Sequence, residues 1–315
     1  MCISKEIIQH VMSTDYEKIP QDVIQVQKKA LIDAIAVSLA ASSLGEGCNE
    51  FISLAKDSET ENGCIVLGSG FKSIPLMAAL ANGAMAHAMD FEDAHDASTM
   101  HSNAVSTAAA LTVADMIGGV SGKEFLAAMV LGSDIAIRLA LAMNEDALKK
   151  GWYMPPIHGA MGAVLAVGKI MKLTEDQMLD AFTLTMNQVT CSGELVNSSQ
   201  SVIRSVRDSF AAKSAVLSCL LAQKGLKARF DMPLEGKLGY YHAYGHGDYT
   251  PERITEGLSE IYESAKISFK PWPSCRGTHP YIDMIIHIMK ENNISFESIE
   301  KVHVVVSPLN EMLFN

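Results

Sequence analysis

The chain has 315 residues, 48% of them hydrophobic, 6% aromatic and 19% charged, enough for one large core and a second, smaller part. A formal net charge of −11 argues against nucleic acid or an anionic membrane as the main partner, because both repel an acidic surface. The six cysteines (Cys2, Cys48, Cys64, Cys191, Cys219, Cys275) form no C-x-x-C and no metal-ligand spacing, and so read as reduced thiols of a cytoplasmic protein. The opening residues MCISKEIIQHVMS lack the apolar core of a secretion signal, and charges such as Asp33, Asp134 and Lys213 interrupt the long apolar runs.

In chain order, Pro20 is followed by Ile24, Leu31, Ile35 and Leu39 at helical spacing, which predicts an amphipathic helix over 21–44 that ends at Gly45. Helical patterns recur over 74–89, 103–117, 123–143, 159–172, 175–190 and 205–224. Ser121 with Glu124, and Thr174 with Gln177, have the spacing of capping boxes. Residues 64–67 suggest a short strand, and the Gly- and Tyr-rich 228–249 a loop-rich connector. A helix over 278–290 and a strand over 301–306 close the pattern. Few aromatics with abundant Ala, Met and Leu favour a mostly α fold. The expected organisation is a large all-helical domain over 1–265 and the beginning of a smaller α+β lid domain over 266–315.

Three stretches gather the chemistry. HAMDFEDAHDASTMH (87–101) places Asp90, Glu92, Asp93 and Asp96 beside His87, His95 and His101 in an otherwise apolar region. Buried charge is costly unless paired, so the cluster is either solvated or useful. Asp90 and Asp93, three residues apart, share one side of a helical turn, and the same groups have the donor types of a divalent-metal site. The plainer reading makes His87 a hydrogen-bonded core histidine and the acids a solvated helix end. GWYMPPIHGAMGA (151–163) combines Tyr153 and His158 with an irregular loop ahead of a helix starting near Gly159, whose free N–H groups suit an anion. KISFKPWPSCRGTHPYID (266–283) holds Lys270, Cys275, Arg276 and His279 around a Pro-rich turn, which reads equally as a carboxylate-binding, proton-moving site or as a hinge.

Together with SVRDSFAAKSAVLSCLLAQKGL and EGKLGYYHAYG, these stretches occur in the order seen in the MmgE/PrpD family, which the chain resembles over most of its length. The resemblance implies a helical domain and an α+β lid with the site in the cleft between them, a homodimer, no metal and no organic cofactor. Family activities include 2-methylcitrate dehydratase, cis-aconitate decarboxylase and iminodisuccinate epimerase, all acting at a carbon next to a carboxylate of a small di- or tricarboxylate. By motif position His101 and Lys270 are the expected acid/base and carboxylate-binding groups, and Asp90 tunes one of them. Tyr153 is the expected proton donor opposite them; Asp93, His158, Arg204, Arg207, Cys275, Arg276 and His279 complete the expected substrate-binding set.

This chain departs from the dehydratase- and decarboxylase-like pattern at Ala94, Tyr153 and Cys275, and has Arg204 and Arg207 nearest to a lysine of the decarboxylase group. Those departures count against cis-aconitate decarboxylation and weaken methylcitrate dehydration, whereas Tyr153 opposite a Lys or His base is what a two-base epimerase would use; dehydration and epimerisation are the expected activities. Family members normally complete the lid, so a sequence ending at Asn315 is expected to be a fragment or a shortened protein with an open cleft. Two rivals stand beside this reading: a metal-dependent hydratase or hydrolase built on Asp90, Asp93, His95 and His101, and a non-catalytic helical dimerisation or anion-binding protein.

Overall fold

A computed structural model describes residues 2–144 and 146–306. The chain divides into two compact units between Phe269 and Lys270. The first unit is helical, and its helices in order are α1 (Ile3–Ser13), α2 (Gln21–Leu44), α3 (Cys48–Lys56), α4 (Pro75–His87), α5 (Ser102–Ile117), α6 (Gly122–Ala142) and α7 (Met154–Ile170). It continues with α8 (Glu175–Met186), the single turn α9 (Ile203–Val206), α10 (Asp208–Gln223), and the short α11 (Tyr240–Gly245) and α12 (Glu252–Thr255). Strand β1 (Glu59–Ile65) pairs antiparallel with the two-residue β2 (Lys72–Ser73), which is the only sheet among the described residues.

Helices α4, α5, α6, α7 and α10 are buried nearly all round, as their Ala-, Met- and Val-rich sequences require. Small residues let them approach closely. A methyl group placed on Gly132 of α6 would lie 2.7 Å from the Gly162 carbonyl oxygen of α7, and one on Gly83 of α4 would lie 2.8 Å from the Ser209 Cα of α10. Helix α6 is long and apolar enough to cross a membrane, but 89% of that window is enclosed by protein. Both expected capping boxes form, with Ser121 accepting from the Glu124 N–H and Thr174 from the Gln177 N–H.

One buried ion pair ties the connecting segments to this bundle. Arg138 Nε donates to Asp134 Oδ2 at 2.7 Å, while its terminal nitrogens donate to the carbonyls of Ile254, Glu256 and Ile261. The second carboxylate oxygen of Asp134 accepts from the Ser264 N–H. Such a pair holds when further hydrogen bonds satisfy its remaining groups, and here α12 and the residues after it supply the partners.

In the second unit α13 (His279–Glu291) follows a turn in which the Trp272 indole donates to Asp283 and the Ser274 and Thr278 hydroxyls lie 2.8 Å apart. Residues 301–306, expected as a strand, are not in one: they make no ladder among the described residues, and β-branched runs form strands only where a neighbouring edge supplies partners. Other differences are local. Helix α7 begins at Met154 and not near Gly159, because Pro155 and Pro156 occupy its first turn, where a missing N–H costs nothing. The connector 228–249 contains α11, whose Tyr240, Tyr241 and Tyr244 are buried in the core.

Candidate active site

The acidic turn after α4 builds the site. Helix α4 ends at His87, and Asp90 then adopts the left-handed conformation (φ 51°), its N–H donating to the His87 carbonyl at 2.8 Å. A non-glycine residue seldom takes that conformation, and its cost is borne where the surroundings fix it. The reversal sends Glu92 and Asp93 inward, so the acids that helical spacing would place on one face point to different partners.

Asp93 is consumed at the start of α5. Its carboxylate accepts from the Asn103 N–H (3.1 Å), the Asn103 amide (3.2 Å) and the Ser102 hydroxyl (3.2 Å), which makes it the cap of that helix. Burial nevertheless raises its pKa to about 6 against those hydrogen bonds. Gln27 and Ser133 in turn hold Asn103 and Ser102.

Glu92 lies between two imidazoles. Its Oε1 is 2.6 Å from His87 Nδ1 and 3.2 Å from His101 Nδ1, and the Glu92 and His87 side chains are completely buried. His101 Nδ1 also lies 2.8 Å from the Asp93 carbonyl oxygen. Burial pushes the His87 pKa down to about 3, and the Arg207 cation beside it acts in the same direction, so this ring is neutral at working pH.

Two guanidiniums face the acids. Arg204 donates to Asp90 Oδ2 at 2.9 Å. Arg207, itself buried, has Nη2 3.3 Å from His87 Nδ1, donates through Nη1 to the Arg204 carbonyl, and has its carbon 5.0 Å from the centre of the Tyr153 ring. Tyr153 is the residue just before α7, and its N–H donates to the Cys191 carbonyl. Arg207 also lines a cavity of about 380 Å³ together with Gln188, Thr190, Cys191, Ser192 and Phe210, within the size range of small-molecule sites. Burial raises the Cys191 thiol to about 11, so it is not a thiolate nucleophile.

The structure therefore brings together Asp90, His101, Tyr153, Arg204 and Arg207 of the expected residues, with Glu92 and His87 between them. His158 is elsewhere in the core: its Nδ1 is 2.7 Å from the Tyr240 hydroxyl, both side chains are buried, and burial lowers its pKa to about 3. Lys270, Cys275, Arg276 and His279 belong to the second unit. There His279 Nε2 donates to the Ser274 carbonyl at 3.2 Å and Nδ1 lies 3.4 Å from Arg276 Nη1.

The metal reading fits this arrangement poorly. Of its four proposed ligands, Asp93 caps α5, while His95 is engaged with Ser98 (2.8 Å) and Glu263 (3.6 Å). Among the described residues the donor set close enough to share an ion is His87, Asp90 and Glu92. Arg204 already neutralises Asp90 and Arg207 lies against His87, and two fixed guanidinium charges there oppose a dication.

Glu92 is a site residue that the sequence does not single out. Its spacing from His87 and His101 carries no periodic signal, because the turn at Asp90 breaks the helical count between them.

A bundle of apolar helices that gathers carboxylates, imidazoles and guanidiniums around the end of α4, the start of α5 and the turn from α9 to α10 defines a helical domain with a mixed-charge polar centre. The chain belongs to the MmgE/PrpD family, whose N-terminal domain model matches residues 5–252. It is 27% identical over 327 residues to the cis-aconitate decarboxylase-like protein oryM of Aspergillus oryzae, covering 99% of this chain and 67% of that protein. It is 24% identical to the cis-aconitate decarboxylase of Aspergillus terreus (97% of this chain, 65% of that protein) and 25% identical to that of Mus musculus (85% and 55%). The chain thus spans about two thirds or less of the length of these curated relatives.

Proposed function

We propose that this chain is part of a lyase acting at a carbon next to a carboxylate of a small di- or tricarboxylate, with no organic cofactor, and that His101 carries the proton. The observation behind this reading is one cluster in which the His101 imidazole is held at one nitrogen by Glu92 Oε1 and the Asp93 carbonyl, while the guanidiniums of Arg204 and Arg207 contact Asp90 and His87. Removing a proton, or losing CO₂, beside a carboxylate builds negative charge on an already anionic group. Fixed cations lower the energy of that charge, and a positioned imidazole exchanges the proton.

The named activity of the relatives, decarboxylation of cis-aconitate, belongs to this class and weighs against the shift away from decarboxylation expected from Ala94, Tyr153 and Cys275. Dehydration and epimerisation share the same charge development. The ring of Tyr153 against Arg207 supports a second proton carrier, which an epimerase needs on the opposite face of the carbon. Lys270 is a further carboxylate-binding group in this proposal, and the working protein is a cytoplasmic homodimer.

NMR in D₂O with a panel of di- and tricarboxylates tests the reading. CO₂ loss, a new vinylic signal or deuterium at the α carbon, respectively, mark decarboxylation, dehydration and epimerisation. A panel in which no acid changes would refute the proposal.

A further inference from the structure

His101 Nδ1 faces two acceptors, the Asp93 carbonyl oxygen at 2.8 Å and Glu92 Oε1 at 3.2 Å. A carbonyl oxygen can only accept, so Nδ1 must carry the hydrogen, and in the neutral ring the lone pair then falls on Nε2. The same Glu92 oxygen lies 2.6 Å from Nδ1 of His87, within hydrogen-bonding distance. His87 is itself immobile: it is enclosed at the end of α4 and has Arg207 Nη2 at 3.3 Å. One carboxylate oxygen is thus gripped by a fixed imidazole on one side and presented to a second, 15% exposed imidazole on the other.

We infer that Glu92 is the positioning residue for His101: its carboxylate, backed by the Asp93 carbonyl, fixes the Nδ1–H tautomer, aims Nε2 as the proton acceptor, and steadies the imidazolium formed when His101 takes a proton. Asp90, the acid that motif position assigns to this task, is held instead by Arg204. The division of labour follows from burial. Glu92 is fully enclosed, so its charge acts on His101 with little screening, whereas Asp90 and Arg204 stand nearer to solvent, with side chains 18% and 36% exposed. No proton needs to leave Glu92; the proton travels between substrate and His101 Nε2.

The inference rests on His101 being the proton carrier, and the test keeps the two separable. Imidazole ¹⁵N shifts of the whole chain, with the His101 signals assigned through His101→Asn, report tautomer and titration midpoint without any turnover. The wild-type ring is expected as the Nδ1–H tautomer. In Glu92→Gln its midpoint is expected to fall by about one to two pH units, and kcat to fall about 10²-fold with KM within about threefold. An Nε2–H tautomer in the wild type overturns the inference, and that reading does not require any variant to fold. A folded Glu92→Gln with an unchanged midpoint and rate also overturns it while leaving His101 as proton carrier. Full turnover in His101→Asn instead removes the reading on which the inference rests.

Discussion

Glu92 and His87 are 2.6 Å apart and neither side chain reaches solvent, so each is the other's replacement for water. Taking away His87 removes the shorter of the two imidazole contacts to Glu92 Oε1, the other being His101 at 3.2 Å, and losing a buried hydrogen-bond partner typically costs about 1–3 kcal/mol. His87→Ala is therefore expected to lower the unfolding free energy by that amount in urea denaturation. His87→Gln, which can still donate to the carboxylate, should recover part of it.

The conformation of Asp90 separates backbone from side chain. Glycine tolerates a φ of 51° freely and alanine does not, so Asp90→Ala is expected to be about 1 kcal/mol less stable than Asp90→Gly in thermal or chemical denaturation. Both variants release Arg204, so both should impair turnover to a similar degree.

Arg204 is only partly buried, and ion pairs of that kind contribute little to folding. Arg204→Ala should shift the stability by under about 1 kcal/mol while raising KM for a polycarboxylate by roughly tenfold or more, because a guanidinium placed for a carboxylate is lost. Kinetics and a melting curve on the same sample check this.

Burial lowers the pKa of His158 and His87 to about 3 and that of His10 to about 4, well below the ordinary value of 6.5. Because the unfolded chain takes up these protons first, the stability they contribute is present above about pH 6.5 and is lost as pH falls towards 3–4. Asp93 runs the other way: raised to about 6, its carboxyl favours the protonated fold, and that contribution is lost as pH rises from about 4 to about 6. Replacing His158 by Phe is expected to reduce the slope of unfolding free energy against pH by about 1.4 kcal/mol per pH unit between 4 and 6. Asp93→Asn should steepen the loss towards acid. Urea titrations at several pH values measure both.

Where α6 crosses α7, a methyl on Gly162 would collide with the Gly132 carbonyl oxygen. Gly162→Ala is expected to destabilise by about 2–3 kcal/mol, with the helical circular dichroism retained.

Much of the bundle was legible in the sequence because buried helices repeat apolar residues over many turns. The span 21–44 matches α2, and 103–117 differs from α5 by one residue. What escaped was set by tertiary surroundings. Whether Val302 to Val306 form a strand depends on a neighbouring edge, and whether Pro155 stops or starts a helix depends on which turn it occupies. At the site, the sequence showed that residues 87–101 concentrate titratable groups, and the structure places His101, Asp90, Arg204, Arg207 and Tyr153 around them. It could not show that Glu92 sits between two imidazoles, at 2.6 and 3.2 Å, since that placement is made by one left-handed residue. Nor could it show that His158 is enclosed with Tyr240, because a histidine beside a glycine in an apolar helix reads the same lining a pocket or filling a core.

In the proposed reaction His101 exchanges a proton with a carbon next to a carboxylate. The most direct measurement is the turnover of cis-aconitate and related acids in D₂O by wild type and His101→Asn, followed by NMR on samples whose melting temperatures agree to within about 3 °C. A loss of at least about 10²-fold is expected in the variant, in product formation and α-carbon deuteration alike. Equal rates in the two proteins would contradict it.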